Sequence, residues 1–412
     1  MKVAYFSPLP PERTGIADYS ALLLPALRER VEVTVVRHGR TRPPRGVDVS
    51  LYHVGNNPDA HGWIVDALRK NGGVVVLHDY VLHHLVSGVT LGRGDREGYL
   101  GAMEREHGVV GRLLGYGVID KRIPPLWESR PEDFPLTSYA LEHATGAIVH
   151  SHYVRDRIVE LGFRGRVTVI AHPAWPVPAI EPERVGHGMV VGCFGIVNQS
   201  KRVPELLEAF ARLRETHPDA TLLLVGPESP GFDLDRRMQR LGLGEEGIVR
   251  VGWIDERRLW ALMAGSDVLV NLRHPTMGET SGSIVRGLSL GKPLVVSDVG
   301  WFAELPDAVA VKVPPDEHEV ATLAAALELL ATRDDVREAM GAAAAELAWH
   351  AHDLERVADR YSAALELAAG GATADDAVLR EVSAGAAGVG ISAGSAEAKE
   401  IASRLAEVDL GG

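Results

Sequence analysis

The stretch GETSG at residues 278–282 places an acid, two hydroxyl side chains and two glycines directly before a segment with a helical pattern. The first amides of a helix have no partner within it, and the helix dipole adds partial positive charge, so such a turn can bind an oxyanion. Glycine lets the ligand approach the backbone closely. The alternative is an ordinary helix start with a Ser or Thr cap.

A second turn favours the anion site. Lys201 and Arg202 follow Gly195 by six and seven residues, between an apolar run that predicts a strand and a segment with helical period. Cations at a helix start oppose the dipole, and a bound anion removes this conflict. The G-x-G-x-x-G of a dinucleotide fold follows neither first strand. Two phosphate-competent turns in one half of the chain therefore predict a phosphorylated ligand.

The elements around these turns form two alternating series of Val-rich strands and amphipathic helices, which are typical of parallel βαβ units. A proline-rich segment at 172–188 separates the series. We expect two doubly wound α/β domains that face each other across a cleft. The expected boundaries are 1–180 for the first domain, 189–349 for the second, 350–369 for a helix that returns toward the first domain, and 370–412 for an Ala/Gly-rich tail.

The charge of the chain is uneven. The 412 residues carry a formal net charge of -13, which argues against a nucleic-acid partner. Residues 1–180 hold 21 Lys and Arg against 19 Asp and Glu, whereas 181–412 hold 22 against 37. The basic loop Arg37, Arg40, Arg42 and Arg45 predicts weak peripheral contact of the first domain with an anionic membrane, and a merely solvated loop is the alternative.

The same sequence predicts a cytoplasmic protein, peripheral at the inner membrane face. It begins on a strand-like segment rather than a secretory leader, and no window reaches the roughly 18 apolar residues of a membrane span. The single cysteine, Cys193, cannot form a disulfide within the chain.

The two turns resemble those of retaining glycosyltransferases of family 4, which have the GT-B fold, and the resemblance covers about residues 1–367. The G-R-x-x-x-x-K turn of that family matches at Gly195 and Lys201. Ile196 stands at the arginine position, so Arg202 is the substitute cation that we expect. The motifs HVGNNPDAH and GETSG resemble a variant seen in bacterial cell-surface polysaccharide glycosyltransferases.

The acidic motif of the family aligns through Gly291 and Pro293. This alignment places Gly278 and Arg286 where the family has its two glutamates, so Glu279 is displaced by one residue. In the first domain, PPERTGIADYS resembles the turn that lets the diphosphate approach, and VVVLHDYVLHH resembles the strand end whose His lies beside the sugar.

The resemblance implies three sets of residues. For catalysis it implies His78, Glu279 and Lys201. For the donor it implies Gly15, Gly195, Lys201, Arg202, Gly226, Pro227, Trp253, Ile254, Thr280, Ser281, Gly282, Ser283 and Arg286, with core packing of Trp253 as an equal alternative. For the acceptor it implies Asp18, Tyr19, Asn56, Asn57, Asp79 and His83.

The implied activity is transfer of a hexose, with mannose preferred, from a nucleoside-diphosphate sugar to a glycan, a glycolipid or another hydroxyl acceptor. No cofactor and no metal are expected, because His78, His83 and His84 share no helical face and such enzymes use amides and cations instead. Two other classes stay open. One is a GT-B sugar-nucleotide epimerase, and the other is a catalytically silent nucleotide-sugar-binding protein, which Arg286 suggests.

Overall fold

The computed structural model describes residues 1–244, 247–370, 382–388, 391–392, 395 and 397–401, and much of the tail expected at 370–412 therefore lies outside the described residues. Two six-stranded sheets of parallel strands form the core of the protein. The strands of the first sheet are β1 Lys2–Phe6, β2 Glu32–Val35, β3 Val49–Val54, β4 Gly73–Leu77, β5 Ala144–Val149 and β6 Arg166–Val169. Those of the second are β7 Val190–Phe194, β8 Thr221–Val225, β9 Ile248–Val251, β10 Val268–Asn271, β11 Leu294–Ser297 and β12 Ala310–Val313.

Helices cover both faces of each sheet, which explains why strands such as β3 are buried along their whole length. The helices that follow the strands of the first sheet are α1 Gly15–Arg28, α2 Pro58–Asn71, α3 His83–Val89, α4 Arg96–Ile119, α5 Leu126–Ser129, α6 Ser138–Leu141 and α7 His152–Glu160. Those of the second half are α8 Val203–Thr216, α9 Leu234–Arg240, α10 Glu256–Gly265, α11 Gly282–Ser289, α12 Gly300–Ala303, α13 Glu319–Thr332, α14 Asp334–Ala351 and α15 Leu354–Ala368.

Each sheet reverses its strand order once. The first sheet runs β2-β1-β3-β4-β5-β6, so the order reverses between β1 and β3. The second runs β12-β11-β10-β7-β8-β9, so the order reverses between β10 and β7. Ligands of open α/β sheets bind beside the carboxyl ends of the strands at such reversals. The turn after β7 and the loop after β10 therefore form the expected ligand position of the second domain.

Helix α15 belongs to the first domain in space although it comes after the second in sequence. Its apolar face, which includes Val357, Tyr361 and Leu365, is buried in the core that also holds Tyr19 of α1. The hydroxyls of Tyr19 and Tyr361 lie 2.7 Å apart. Arg30 donates from Nε to the carboxylate of Asp359 at 2.6 Å. The returning helix thus completes the core of the first domain.

The structure confirms the fold class expected from the sequence, which is two doubly wound domains that face each other. No helix among the described residues is long and apolar enough to cross a membrane.

Candidate active site

A cavity of about 370 Å³ lies between the two sheets. The first domain and the linker contribute most of its wall, and the second domain contributes the turn before α11 and residues of α11 itself. The lining residues are Thr14, Gly15, Ile16, Tyr19, Asn56, Asn57, His61, His78, Asp79, His150, His172, Trp175, Glu279, Thr280, Gly282 and Arg286. Residues expected at the donor and at the acceptor therefore lie around one space.

The wall from the first domain is built from histidines at strand ends. His53 lies within β3, and His78, His150 and His172 follow β4, β5 and β6. Because parallel strands end at the same edge of a sheet, these four imidazoles converge. The ring of Tyr19 packs against them, with ring centroids 4.7 Å from His78 and 4.8 Å from His172.

The tautomers of three cavity histidines follow from their hydrogen bonds. Nδ1 of His61, His150 and His172 lies 3.1, 2.8 and 2.8 Å from a main-chain carbonyl oxygen, respectively. A carbonyl only accepts, so Nδ1 carries the proton and Nε2 of the neutral ring is an acceptor. Burial lowers the pKa of His61 and of His150 to about 4. At neutral pH this wall therefore offers neutral acceptors, which suit hydroxyl donors.

Asp79 lies at the end of this wall, next to the second domain. Its Oδ2 accepts a hydrogen bond from the amide of Asn56 at 2.8 Å. Burial, and then the charge of Glu279, raise the pKa of Asp79 to about 7, while Asn56 and Arg273 act in the opposite direction. Near neutral pH the carboxyl of Asp79 can thus either accept or donate a proton.

Glu279 organises the loop that leads into α11. Its Oε1 accepts from Nε of Arg273 at 2.6 Å, and its Oε2 accepts from the amide of Met277 at 2.8 Å. The main-chain carbonyl of Met277 in turn accepts the amide of Tyr80 at 2.7 Å, across the interface between the domains. The carboxylate therefore holds a cation and the interdomain loop in one arrangement.

Within the part of the chain that the structure describes, helix α11 begins without a side-chain cap on its first amides. Ser281 is the N-cap residue, but its side chain makes no capping hydrogen bond in the described structure. The side-chain amide of Asn271 (Nδ2) instead donates to the hydroxyls of Ser281 and Ser283, at 3.2 and 2.9 Å. Both hydroxyls are thus tied to β10, which disfavours the alternative of an ordinary side-chain cap. Gly282 faces the cavity.

Lys201 lies over the turn after β7. Its Nζ donates to the carbonyl of Phe194 at 2.9 Å, and a β carbon on Gly195 would collide with Nζ. Gly195 has φ 111°, which also favours glycine. Burial, and then the charge of Arg273, lower the pKa of Lys201 to about 7. This ammonium lacks a direct carboxylate partner among the described residues, so it is poised to gain an anion.

The structure corrects the expectation for Arg202. Its Nε donates to Glu319 at 2.9 Å, and its Nη2 contacts Glu205 at 3.0 Å. The carboxylate of Glu319 is 1% exposed, so this pair is largely buried beside α13. Arg202 is therefore occupied as a structural cation rather than as the substitute for the arginine of the family turn.

Arg286 is buried and stacks over the ring of Trp175 at 3.8 Å. Its Nη2 donates to Glu256 at 3.2 Å, while its buried Nε has no partner in the described structure. Asp18, expected at the acceptor, has an exposed surface, but partial desolvation of its carboxyl raises its pKa, and Arg286 acts in the opposite direction. The guanidinium thus borders the cavity at the position that the resemblance assigns to a glutamate.

The turn after β8, which is expected to contact the nucleotide base, lies next to the turn after β7. The amide of Val197 donates to the carbonyl of Pro227 at 2.9 Å, and Gly226 packs against the main chain of Gly195. Trp253, which precedes Ile254, is 66% exposed, so the alternative that it packs in the core is wrong. The guanidinium of Arg13 lies 4.8 Å from its ring centroid, across the cleft.

The structure also corrects the expectation for His83. This residue is fully buried, with Nδ1 at 2.6 Å from the carbonyl of Phe134 and Nε2 at 2.9 Å from the hydroxyl of Tyr99. Both nitrogens are thus used inside the first domain, away from an acceptor. Asn57 caps α2 through its side chain while it lines the cavity, so its predicted contact with a ligand competes with a structural role.

Sequence reasoning missed several cavity residues, namely His61, His150, His172 and Trp175, and it also missed Arg273, which pairs with Glu279. A signal was present for two of them. The runs GAIVHS and RVTVIAHP each end a predicted strand with a His, as VVVLHD does for His78. Trp175 lies in the linker, where no strand pattern predicts its direction.

Among the described residues, no group of three or more His, Cys, Asp and Glu side chains is placed to hold a metal ion.

Comparison with known proteins finds a family match within the second domain. Residues 188–333 match the family described as glycosyl transferases group 1. The glycogen synthase of Mycobacterium tuberculosis is 29% identical over 198 residues, which are 46% of this chain and 46% of that protein. The chain thus spans about half the length of the curated relatives it matches.

Solved structures resemble the whole chain in fold. HepE of Anabaena, in complex with UDP and glucose, superposes with a TM-score of 0.61 at 16% identity, over 89% of this chain and 99% of HepE. Sucrose-phosphate synthase of Thermosynechococcus elongatus gives a TM-score of 0.60 at 16% identity, over 90% and 100% of the two chains. These similarities confirm the GT-B fold.

Proposed function

We propose that the protein is a retaining, family 4 type glycosyltransferase that transfers a hexose from a nucleoside-diphosphate sugar to a hydroxyl acceptor such as a glycan or a glycolipid. The observation that carries the proposal is the placement of two anion-competent turns at adjacent strands. Lys201 follows β7 and the uncapped start of α11 follows β10, and these strands pair at the reversal of the second sheet. The match of residues 188–333 to glycosyl transferases group 1 supports it.

The chemistry of the cavity suits a sugar between a diphosphate and the first domain. The diphosphate lies at Lys201 and the α11 amides, which supply positive charge. The sugar faces the neutral histidines, Asp79 and Asn56, which supply hydrogen-bond acceptors for hydroxyls. HepE was solved with UDP and glucose and, in another structure, with UDP-glucose, which supports a nucleotide sugar as the donor class.

Catalysis rests on the leaving group. As the glycosidic bond to the diphosphate breaks, negative charge grows on the β-phosphate, and a fixed cation stabilises this charge more in the transition state than in the ground state. Lys201 has this role. His78 borders the cavity, where it orients the sugar, and its Nε2 lies 3.0 Å from Nδ1 of His53, which fixes the ring. Glu279 holds the loop that shapes the start of α11.

The test is an activity assay with purified protein, a panel of UDP-, GDP- and ADP-hexoses and candidate hydroxyl acceptors. We expect nucleoside diphosphate release that depends on the acceptor, and loss of about 100-fold in turnover for Lys201→Ala, as for removal of one group aimed at developing charge. The anomeric configuration of the product tests the stereochemistry, and we expect it to be the same as that of the donor. Interconversion of donors without an acceptor would instead establish the epimerase, and binding without turnover would establish the silent protein.

Gly282→Val separates the anion site from folding. A β carbon at Gly282 would meet only the ends of the Arg286 and Trp175 side chains, at 3.4 Å. The valine side chain would extend into the cavity beside the first helical amides, so we expect donor binding to be lost while the melting temperature stays near that of the wild type. Unchanged donor affinity would remove the α11 start from the site.

Peripheral contact of the first domain with an anionic membrane is a further part of the proposal. The side chains of Arg37, Arg40, Arg42 and Arg45 are all exposed on one loop. Each basic residue near such a surface contributes about 1 kcal/mol. Vesicles of phosphatidylglycerol and phosphatidylcholine should therefore bind the protein at low salt, and not after substitution of the four arginines by serine. Equal binding by the substituted protein would contradict the assignment of this loop.

A further inference from the structure

Arg273 and Lys201 each follow one of the two strands at the reversal of the second sheet. Lys201 lies in the turn after β7, and Arg273 follows β10 by two residues. Since β7 and β10 pair in parallel, their carboxyl ends open onto the same part of the cleft. The two cations thus approach one space from neighbouring strands.

The side chain of Arg273 is held in place before any ligand binds. Its Nε donates to Glu279 at 2.6 Å, its Nη1 donates to the carbonyl of Leu272 at 3.2 Å, and its amide donates to the hydroxyl of Ser297 at 2.8 Å. Only 14% of the side chain is exposed. These contacts restrict the rotamers of a long side chain, which lowers the entropy that it loses when it binds a ligand.

The electrostatic surroundings of Lys201 disfavour its positive charge. Arg273 lowers the pKa of Lys201, so the two cations are close enough to repel each other. Cys193, and then Glu279, which pairs with Arg273, raise the pKa of Lys201 by smaller effects. An anion between the two cations would relieve their repulsion.

The other candidates for a second cation lie elsewhere. Arg202 is bound by Glu319 and Glu205, and position 196 carries an exposed isoleucine. Lys201 by itself is an incomplete charge, because its pKa of about 7 leaves part of it neutral at physiological pH. A guanidinium stays protonated throughout this range. Arg273 is therefore the permanent charge at this edge of the cleft.

We propose that Arg273 is the second cation of the diphosphate site and contacts the phosphate groups together with Lys201. The identity of the anion rests on the proposed function. The guanidinium can keep Glu279 on one edge while a second edge donates to phosphate oxygens, because its donors form a planar fork. Glu279 then positions Arg273 rather than opposing the diphosphate.

The experiment is calorimetry of the full chain with UDP, GDP and ADP. Four proteins are compared with the wild type: Arg273→Met, Glu279→Gln, the double variant Arg273→Met with Glu279→Gln, and Arg184→Met. Arg184 provides the matched control, because it forms an ion pair with Asp267 at 2.8 Å in the same domain but beside the opposite ends of the strands. Arg184→Met therefore measures how far the loss of an Arg–Asp ion pair by itself changes diphosphate affinity.

We expect Arg273→Met to weaken the diphosphate that binds the wild type by roughly 10- to 100-fold, as for hydrogen bonds to a charged group. Glu279→Gln should change that affinity less than Arg273→Met does, because the guanidinium is kept and the glutamine side-chain oxygen can still accept a hydrogen bond from its Nε. The double variant should bind the diphosphate more weakly than Glu279→Gln does. The factor should be about the same as that by which Arg273→Met binds it more weakly than the wild type does. Arg184→Met should bind like the wild type.

The double variant decides between phosphate contact and simple neutralisation of Glu279. If Arg273 only neutralises Glu279, the double variant will bind the diphosphate as well as Glu279→Gln does, and the inference is overturned. If the folded wild-type protein binds none of the three diphosphates, the proposed function itself fails. The two failures are thus distinguished by the wild-type titration.

Discussion

The imidazole of His352 donates from Nδ1 to the carbonyl of His172 across 2.7 Å, and the carbonyl of His352 accepts the amide of Ala174 at 2.6 Å. These residues lie in the two segments that connect the domains, so the crossovers are joined side by side. The ring of His172 also lines the cavity. The connection between the domains and the wall of the candidate site therefore share a residue.

Loss of this bond should destabilise the protein. We expect His352→Phe to lower the free energy of unfolding by about 1 to 3 kcal/mol, because the buried carbonyl of His172 loses its side-chain donor. His352→Asn is the matched control, since its amide nitrogen can take the place of Nδ1 and should recover part of the loss. Urea denaturation measures both variants. Equal stability of the Phe and Asn variants would show that the hydrogen bond contributes nothing.

Asp79 should make stability depend on pH in an unusual direction. Its pKa is about 7 in the folded protein against an ordinary value of 3.8, so between these values the folded state binds a proton that the unfolded state has lost. This contribution to the free energy of unfolding therefore falls as pH rises, by up to about 1.4 kcal/mol per pH unit. Asp79→Asn should remove the dependence. Parallel wild-type and variant stabilities across this range would contradict the buried, protonated carboxyl.

Lys201 should take up a proton when a nucleoside diphosphate binds. Its pKa of about 7 leaves the amine mostly neutral above that pH, and a phosphate anion beside it would raise the pKa. Affinity should consequently fall as pH rises through the pKa of the free protein. Calorimetry above pH 7 in buffers of different ionisation enthalpy measures the uptake, which approaches about one proton. If Lys201→Met takes up as many protons on binding as the wild type does, a group other than Lys201 is protonated.

Substitution of Arg202 should lower the free energy of unfolding more than it weakens diphosphate binding. Arg202→Met leaves the buried carboxylate of Glu319 without its cation, so we expect a loss of about 3 kcal/mol, at the lower end for a broken buried pair. The double variant with Glu319→Gln should recover part of this loss. Urea denaturation provides the measurement. A protein of unchanged stability that no longer binds diphosphate would restore Arg202 to the site.

The fold was predictable because its signals are repetitive and local. Val-rich runs such as β4 and β8 are bounded by turns, and the amphipathic helix at 203–216 follows the expected period. The same logic predicts that Gly195, Lys201 and Gly282 lie at the cleft, and Gly282 lines the cavity. Turn chemistry depends on neighbouring residues in sequence, so it can be read without tertiary information.

Side-chain partners were not predictable in the same way. Arg202 and Arg273 are both arginines after strands, but Glu319 is brought to Arg202 by tertiary packing from 117 residues away, whereas Glu279 lies only 6 residues from Arg273. His83 and His78 likewise follow the same strand, and His83 is enclosed by Phe134 and Tyr99. Partners that are distant in sequence decide that Arg202 and His83 are held inside the protein.

The return of α15 to the first sheet has a consequence for biosynthesis. Residues 1–180 leave the ribosome first, yet part of the apolar surface around Tyr19 stays uncovered until 354–368 have been synthesised. Domains generally fold as units in the order of their synthesis. Here the core of the first domain can be completed only after the strands of the second sheet have been synthesised. Truncation before Leu354 would therefore expose apolar surface and favour aggregation of the nascent chain.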